Sequence, residues 1–204
     1  MKVLIFSGFL GSGKTSALLP LASYIVSNSH SARENKVMIL ENEVGDIGID
    51  DAYLRSGGLK VDNLFSGCAC CTVSGELVTA VNRIAKEYDP EWLILETTGV
   101  AYPKNIQETL KTVCGLDSRI AVLVDAARWK RLLRPMHDLL SGQIIGSDAV
   151  LINKIDLVDE AARAAVDADV CDFEPTANIF HISALAPVAP AVWAGVLGEG
   201  VGNK

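Results

Sequence analysis

The sequence predicts an α/β fold in which a mostly parallel sheet of about seven strands carries helices on both faces. Short apolar runs alternate along the chain with segments of helical pattern, which is typical of a parallel sheet covered by helices. Several of the runs, such as residues 92–95 and 121–124, are apolar throughout. Strands of this kind are expected to be buried on both faces.

The predicted elements follow one another in a regular order. Strands are expected over residues 2–6, 36–41, 59–64, 91–96, 119–124, 148–152 and 178–182. Helices are expected over residues 14–27, 74–87, 104–113, 127–141 and 159–168. Residues 1–186 are expected to form one domain, followed over residues 187–204 by a short helix near 191–197 and a tail rich in Pro, Ala and Gly.

The composition of the whole chain argues against several classes of function. The 204 residues carry a formal net charge of -7 and contain no basic run, so a broad positive surface for nucleic acid or anionic membrane is not expected. No apolar run reaches the roughly 18 to 20 residues that a membrane helix needs. The sequence therefore predicts a cytoplasmic protein with neither nucleic acid nor membrane as a partner.

A glycine-rich segment joins the first strand to the first helix. Residues 8–15 read G-F-L-G-S-G-K-T and match the pattern G-x-x-x-x-G-K-[S/T] at every fixed position, which predicts a phosphate-loop NTPase. Backbone N–H groups of such a loop, together with the helix N-terminus, bind phosphates. The residues expected to contact the nucleotide are Gly11, Ser12, Gly13, Lys14, Thr15 and Ser16. Lys14 is expected to act in catalysis by neutralising the β- and γ-phosphates, and the Thr15 hydroxyl to ligate Mg²⁺. The alternative is a glycine-rich turn without a ligand.

A second motif indicates which base the nucleotide carries. Residues 153–156 read N-K-I-D directly after the apolar strand 148–152. The Asp156 carboxylate can accept hydrogen bonds from guanine N1–H and the 2-amino group, whereas adenine offers neither donor. Asn153 can address the N7/O6 edge, and the Lys154 stem can lie across the base. A further base-contacting loop is expected after the last strand, at Ser183, Ala184 and Leu185. GTP is therefore favoured over ATP; the alternative for residues 153–156 is a helix cap.

The fourth strand ends in an acid that is followed by a glycine three residues later. Residues 96–99 read E-T-T-G. Glu96 is a candidate catalytic residue that holds the waters of Mg²⁺ or orients the attacking water, and the Gly99 N–H can sense the γ-phosphate. The alternative is an exposed glutamate at a strand end.

Two further segments indicate metal chemistry. Cys68, Cys70 and Cys71 lie within four positions, and thiolates bind Zn²⁺, Co²⁺, Ni²⁺ or Cu⁺. A tetrahedral site there needs a fourth ligand from elsewhere, and the alternative is a redox-inert turn. Residues 41–50 are rich in acids and contain two glycines, which suits a loop that serves Mg²⁺, a transition ion or both; the alternative is a solvated acidic loop. Cys114 and Cys171 are expected to be small core residues.

The combination of motifs resembles a known family. The motifs G-F-L-G-S-G-K-T, E-N-E-x-G-x-x-G-I-D (residues 41–50), C-x-C-C (68–71), E-T-T-G and N-K-I-D occur in the order seen in CobW-like GTPases, which are relatives of the HypB and UreG nickel chaperones. The resemblance covers roughly residues 1–186.

This resemblance implies a slow GTPase that converts GTP to GDP and phosphate and acts as a metallochaperone or metallocentre-assembly factor. It implies that Cys68, Cys70 and Cys71 ligate a metal, Zn²⁺ being favoured over Co²⁺ and Ni²⁺. It also implies that Glu41 and Asp46 ligate the metal or Mg²⁺, with Asp46 taking part in catalysis. The implied partner is a client metalloprotein or a cofactor-assembly protein, and a homodimer is compatible with the family. Asp125 matches a family position near the nucleotide, without an assigned role.

The chain departs from the family in length, and two rival functions stay open. Typical members continue into a second C-terminal domain, so the sequence is expected to represent a short form. One rival is a GTP-regulated interaction protein with a structural zinc site. The other is a small-molecule kinase, against which the lack of an Arg-rich lid argues.

Overall fold

The computed structural model describes residues 1–41, 59–63 and 73–199, with side chains from residue 75 in the last range and none in the second. Within these ranges the sheet has the order β3-β2-β4-β1-β5-β6-β7, and every neighbouring pair is parallel. The strands are β1 Lys2–Gly8, β2 Val37–Glu41, β3 Leu59–Asn63, β4 Trp92–Glu96, β5 Ser118–Asp125, β6 Ala149–Asn153 and β7 Asn178–His181. The predicted α/β fold is confirmed, and each strand lies within two residues of its expected bounds.

The described helices are α1 Lys14–Asn28, α2 Val73–Glu87, α3 Pro103–Thr109, α4 Trp129–Leu133, α5 His137–Ile144, α6 Glu160–Phe173 and α7 Pro190–Leu197. A π-helical turn, Leu110–Cys114, extends α3, and a 3₁₀ turn, Ile155–Leu157, follows β6. The single helix predicted over residues 127–141 was wrong. It is two helices separated at Pro135, because a proline ring removes an N–H and obstructs a continuing helix.

The sheet is covered on both faces, and alternate strand residues supply the two halves of the core. On β1, Val3 and Ile5 belong to one core cluster, which includes residues of α2, α4, α5 and α6. Leu4 and Phe6 belong to a second cluster, which includes residues of α1 and α7. All four of these β1 side chains are at most 2% exposed. No helix in the described ranges has the length and apolar character that a membrane crossing requires.

The parallel arrangement brings the carboxyl ends of the strands to one edge of the sheet. Because β1 lies between β4 and β5, the loop that follows β1 emerges at the middle of this edge. Glu41 is in register with Glu96 across β2 and β4, and Asp125 is in register with Asn153 across β5 and β6. In open sheets of this kind, ligands bind beyond the carboxyl ends of the strands.

Candidate nucleotide-binding site

A cleft of about 470 Å³ opens at this edge of the sheet, a size that suits a small-molecule ligand. It is lined by Gly11, Gly13, Lys14, Thr15, Ser16, Glu96, Asn153, Lys154, Asp156, Leu157, Ser183, Ala184 and Leu185. The structure thus brings together the predicted phosphate-contacting and base-contacting residues, apart from Ser12. Leu157, in the turn after β6, is a lining residue that the sequence did not suggest.

The loop between β1 and α1 (residues 8–13, the phosphate loop) has the backbone shape that its glycines permit. Gly13 has φ +100°, and a Cβ at this position would lie 2.5 Å from Asn153 Nδ2. No side chain caps the N-terminus of α1, so the first-turn N–H groups, which have no intrahelical acceptor, are open to an anion. The buried Ser12 Oγ has no hydrogen-bond partner among the described residues. This cradle fits a phosphate group.

Lys14 and Thr15 begin α1 with their side chains at the edge of the sheet. Lys14 is 6% exposed, and its Nζ donates to the carbonyl oxygen of Gly8 at 3.0 Å, so the side chain arches back over the phosphate loop. Thr15 Oγ1 lies 3.4 Å from Glu96 Oε1. Glu41 is the strand neighbour of Glu96. The Thr15 hydroxyl and the Glu96 carboxylate therefore lie close together, with Glu41 at the register position beside Glu96. Oxygen ligands of this kind are the ones that Mg²⁺ prefers.

Glu96 is only 3% exposed, so its alternative assignment as an exposed strand-end residue was wrong. It is buried because β4 lies between β2 and β1 in the interior of the sheet.

Asn153 connects the base-contacting loops to the phosphate loop. Its Nδ2 donates to the carbonyl oxygen of Ser12 at 2.8 Å, and its Oδ1 accepts from the N–H groups of Lys154 and Ala184, each at 2.8 Å. Lys154 has φ +64°, a left-handed conformation that is rare outside glycine and concentrates at functional sites. The helix-cap alternative was wrong, because Asp159 caps α6 and no side chain caps the 3₁₀ turn.

Asp125 is a buried carboxylate beside these loops. It accepts from Arg128 Nε at 2.6 Å and from Lys154 Nζ at 2.7 Å. Burial raises the pKa of Asp125, but the hydrogen bonds and charges of Lys154 and Arg128 together hold that pKa below its ordinary value. Asp125 is therefore ionised at neutral pH.

Two further residues, beside the cleft, were also not predicted from the sequence. Arg128 follows Asp125 by three residues. An acid at the end of a strand with a cationic residue three positions later is a local pattern from which this ion pair could have been predicted. Gln143 is 1% exposed and donates through Nε2 to the carbonyl oxygens of Gly99 and Ala101, both at 3.1 Å. Its contacts join distant parts of the chain, so no local pattern indicates them.

The predicted metal ligands Cys68, Cys70, Cys71 and Asp46 lie outside the described residues. Within the ranges that the structure describes, no group of three or more His, Cys, Asp or Glu side chains is placed to hold a metal ion. The expectation that Cys171 is a core residue was wrong: it is exposed, because α6 turns Val166 and Val170 towards the sheet instead. Cys114 is partly buried.

Comparisons with known proteins agree with this architecture. A family model described as the CobW/HypB/UreG nucleotide-binding domain matches residues 2–181. The zinc-regulated GTPase metalloprotein activator 1 of Schizosaccharomyces pombe is 32% identical over 192 residues, which cover 88% of this chain and 45% of that protein. The zinc chaperone CobW of Pseudomonas aeruginosa is 28% identical over 212 residues, covering 87% of this chain and 55% of that protein.

A solved structure gives the same fold. HypB from Helicobacter pylori in complex with nickel has a TM-score of 0.61 and 22% identity, covering 97% of this chain and 84% of that one. The chain spans about half the length of the curated relatives it matches. From the match over residues 2–181, the chain belongs to the family of CobW/HypB/UreG nucleotide-binding domains.

Proposed function

We propose that this chain binds GTP with Mg²⁺, hydrolyses GTP to GDP and phosphate, and couples its nucleotide state to the binding and transfer of a transition metal. The observation that carries the proposal is the hydrogen-bonded union of the phosphate loop with the N-K-I-D loop through Asn153. Relatives named as a zinc-regulated GTPase metalloprotein activator and as a zinc chaperone support the metal function and favour Zn²⁺ over Co²⁺ and Ni²⁺.

In this proposal one end of the cleft binds the phosphates of the nucleotide and the other end binds its base. The phosphate loop and the first turn of α1 receive the phosphates through backbone N–H groups, and Ser16 lines the cleft beside them. Asp156 accepts from the guanine N1–H and 2-amino groups, while Lys154, Ser183, Ala184 and Leu185 surround the base. A purine without those two donors leaves the carboxylate unpaired, so ATP is disfavoured.

Hydrolysis is a phosphoryl transfer to water, in which the bond between the γ-phosphorus and the β–γ bridging oxygen breaks. Lys14 neutralises charge that develops on the β- and γ-oxygens, and Glu96 orients the attacking water or the waters of the cation. Thr15 and Glu41 would hold Mg²⁺, which supplies positive charge at the same oxygens. The Gly99 N–H would respond to the γ-phosphate, and the carbonyl oxygen of Gly99 accepts from Gln143 Nε2, which supports a fixed position for this residue.

The metal is cargo in this scheme. Cys68, Cys70 and Cys71 bind it, with Asp46 or Glu41 as an oxygen ligand in one nucleotide state only. A hundredfold change in metal affinity between the two states corresponds to about 2.7 kcal/mol, which the gain or loss of one ligand can supply. The ion then passes to a client metalloprotein or a cofactor-assembly protein.

The test is a zinc titration against a chromogenic chelator, in the presence of GDP and then of a non-hydrolysable GTP analogue. We expect the zinc affinity to differ between the two by at least about tenfold. Cys70→Ala should weaken zinc binding and leave GTP binding unchanged. Cys171→Ala, at an exposed cysteine of α6, is the matched control and should change neither. Zinc affinity that is the same with both nucleotides would overturn the coupling.

A further inference from the structure

Asp125 and Arg128 form an ion pair next to the phosphate loop that none of the nucleotide motifs includes. The Asp125 side chain is 3% exposed and ends β5, the strand beside β1. It accepts from the backbone N–H of Arg128 at 3.1 Å and from Arg128 Nε at 2.6 Å. The Nε bond holds the guanidinium against the Asp125 carboxylate, and because the guanidinium donors lie in a rigid plane, this bond also sets the direction of the remaining donors.

The other end of the guanidinium reaches the phosphate loop. Arg128 Nη2 donates to the carbonyl oxygen of Leu10 at 2.5 Å. A Cβ at Gly11 would lie 3.0 Å from the same nitrogen, so the guanidinium covers this glycine closely. Lys154 makes a parallel connection, because its Nζ donates to Asp125 Oδ2 and to the carbonyl oxygen of Gly11, both at 2.7 Å.

These contacts determine the orientation of the Leu10–Gly11 peptide. A trans peptide is planar and carries its carbonyl oxygen and its N–H on opposite sides. With the Leu10 oxygen bound to Arg128, the Gly11 N–H points away from Arg128. Gly11 has φ +70°, a region that glycine enters and leaves at little cost, so the loop alone would not keep this peptide fixed.

We propose that Arg128, held by Asp125, is a positioning residue that sets the Leu10–Gly11 peptide so that the Gly11 N–H is directed to a nucleotide phosphate before the nucleotide arrives. This inference rests on the proposed GTP binding. In this inference the ion pair holds the phosphate loop in its binding conformation, so that less conformational entropy is lost when the nucleotide binds. This is the general benefit of preorganisation. Because the pKa of Asp125 is lowered, the pair stays charged throughout the neutral range.

The experiment compares Arg128→Ala and Arg128→Lys with the unaltered chain. The Arg128 side chain is 29% exposed, so we expect both variants to fold, and urea unfolding without nucleotide checks this. Arg128→Ala should weaken GDP binding about tenfold, in line with loss of a charged hydrogen bond. Arg128→Lys keeps the positive charge and can bind either Asp125 or the Leu10 carbonyl oxygen, but not both in the same way, so it should recover part of the lost GDP affinity. Arg131→Ala, at an exposed arginine of helix α4, which begins directly after Arg128, is the control and should bind GDP normally.

Guanosine separates positioning of the phosphate loop from general damage to the cleft. Competition against a fluorescent GDP analogue should give the same guanosine affinity for Arg128→Ala and the unaltered chain, since guanosine has no phosphate. The KM for GTP should rise about tenfold while kcat stays within about twofold, as expected for loss of uniform binding. Equal GDP affinities, or an equal loss of guanosine and GDP binding, would overturn the positioning role. If the unaltered chain bound no GDP, the proposed function itself would fail.

Discussion

Asp156 lies in the 3₁₀ turn after β6 and lines the cleft next to Leu157. Its carboxylate has two oxygen atoms that can accept hydrogen bonds from a base in the cleft. We therefore expect Asp156→Asn to exchange one base preference for another. The asparagine amide presents an N–H₂ donor to the 2-amino donor of guanine, whereas xanthine has a carbonyl oxygen at that position.

The expected result is a GTP affinity that falls about a hundredfold, while XTP becomes the better ligand. Competition of GTP, XTP and ATP against a fluorescent GDP analogue measures the order. Asp172→Asn, at an exposed acid of α6, should leave the order unchanged. If Asp156→Asn bound GTP as well as the unaltered chain does, Asp156 would not be the base-reading residue.

Residues within a short motif could be placed from the sequence, because the motif itself fixes their separation. Asn153 and Lys154 were expected in the nucleotide site as base-contacting residues. Both line the cleft, and both also bond to the phosphate loop. The role of Arg128 could not be predicted, because its contact with Leu10 spans 118 positions and depends on β5 lying beside β1. Gln143 is similar: its bond to Gly99 spans 44 positions.

At the scale of elements, the turn from the phosphate loop into α1 depends on Gly13. We expect Gly13→Ala to abolish tight nucleotide binding, because φ +100° is unfavourable for alanine and the new Cβ would lie 2.5 Å from Asn153 Nδ2. Either Asn153 or the loop would have to move, and their hydrogen bond would be lost.

Gly75 in α2 provides a matched comparison for the same substitution. Among the residues that the structure describes, no atom lies within 4 Å of a Cβ built there, and alanine restricts the unfolded chain more than glycine does. Gly75→Ala should therefore stabilise the fold by roughly 0.5 kcal/mol and leave GDP binding unchanged. Urea unfolding and nucleotide titration of both variants measure this, and normal GDP binding by Gly13→Ala would contradict the account of the loop.

The strands were easier to predict than the helices, for a physical reason. A strand buried on both faces is an unbroken apolar run, as in β4, where every residue is buried. The helical pattern of residues 127–141 continues across Pro135, so the pattern alone indicated one helix, whereas the structure has α4 and α5. Where α6 ends was also missed: Val170 lies one helical turn after Val166 on the same buried face, but few other apolar residues extend the pattern past residue 168.

At the scale of the whole molecule, the order of the strands in the sheet determines which residues meet at the site. That order could not be predicted from the sequence. Seven apolar runs predict a sheet, but only the crossover that inserts β4 between β2 and β1 brings Glu96 next to Thr15 and Glu41. The phosphate loop, E-T-T-G and N-K-I-D motifs are far apart along the chain and converge because the seven described strands are parallel.

Thermal unfolding tests whether the metal is cargo or part of the fold. GDP at about 100 times its Kd should stabilise the folded chain by about 2.7 kcal/mol, which raises the Tm by roughly 5–10 °C for a domain of this size. Removal of zinc with a chelator should lower the Tm only as far as the loss of a bound ligand requires, and the apo chain should still unfold in one cooperative transition, since a transferable ion is not needed for the core. Loss of that cooperative transition on chelation would instead favour the structural zinc site and the GTP-regulated interaction protein.

The single side chain of Asn153 has a kinetic consequence. Because one amide bonds to the phosphate loop, to Lys154 and to Ala184, the two ends of the cleft cannot loosen independently. Nucleotide exchange should then require one concerted opening, and bound GDP should leave slowly and in a single phase. A protein that displaced the end of β6 would release both halves of the nucleotide together, and would so act on this chain as an exchange factor.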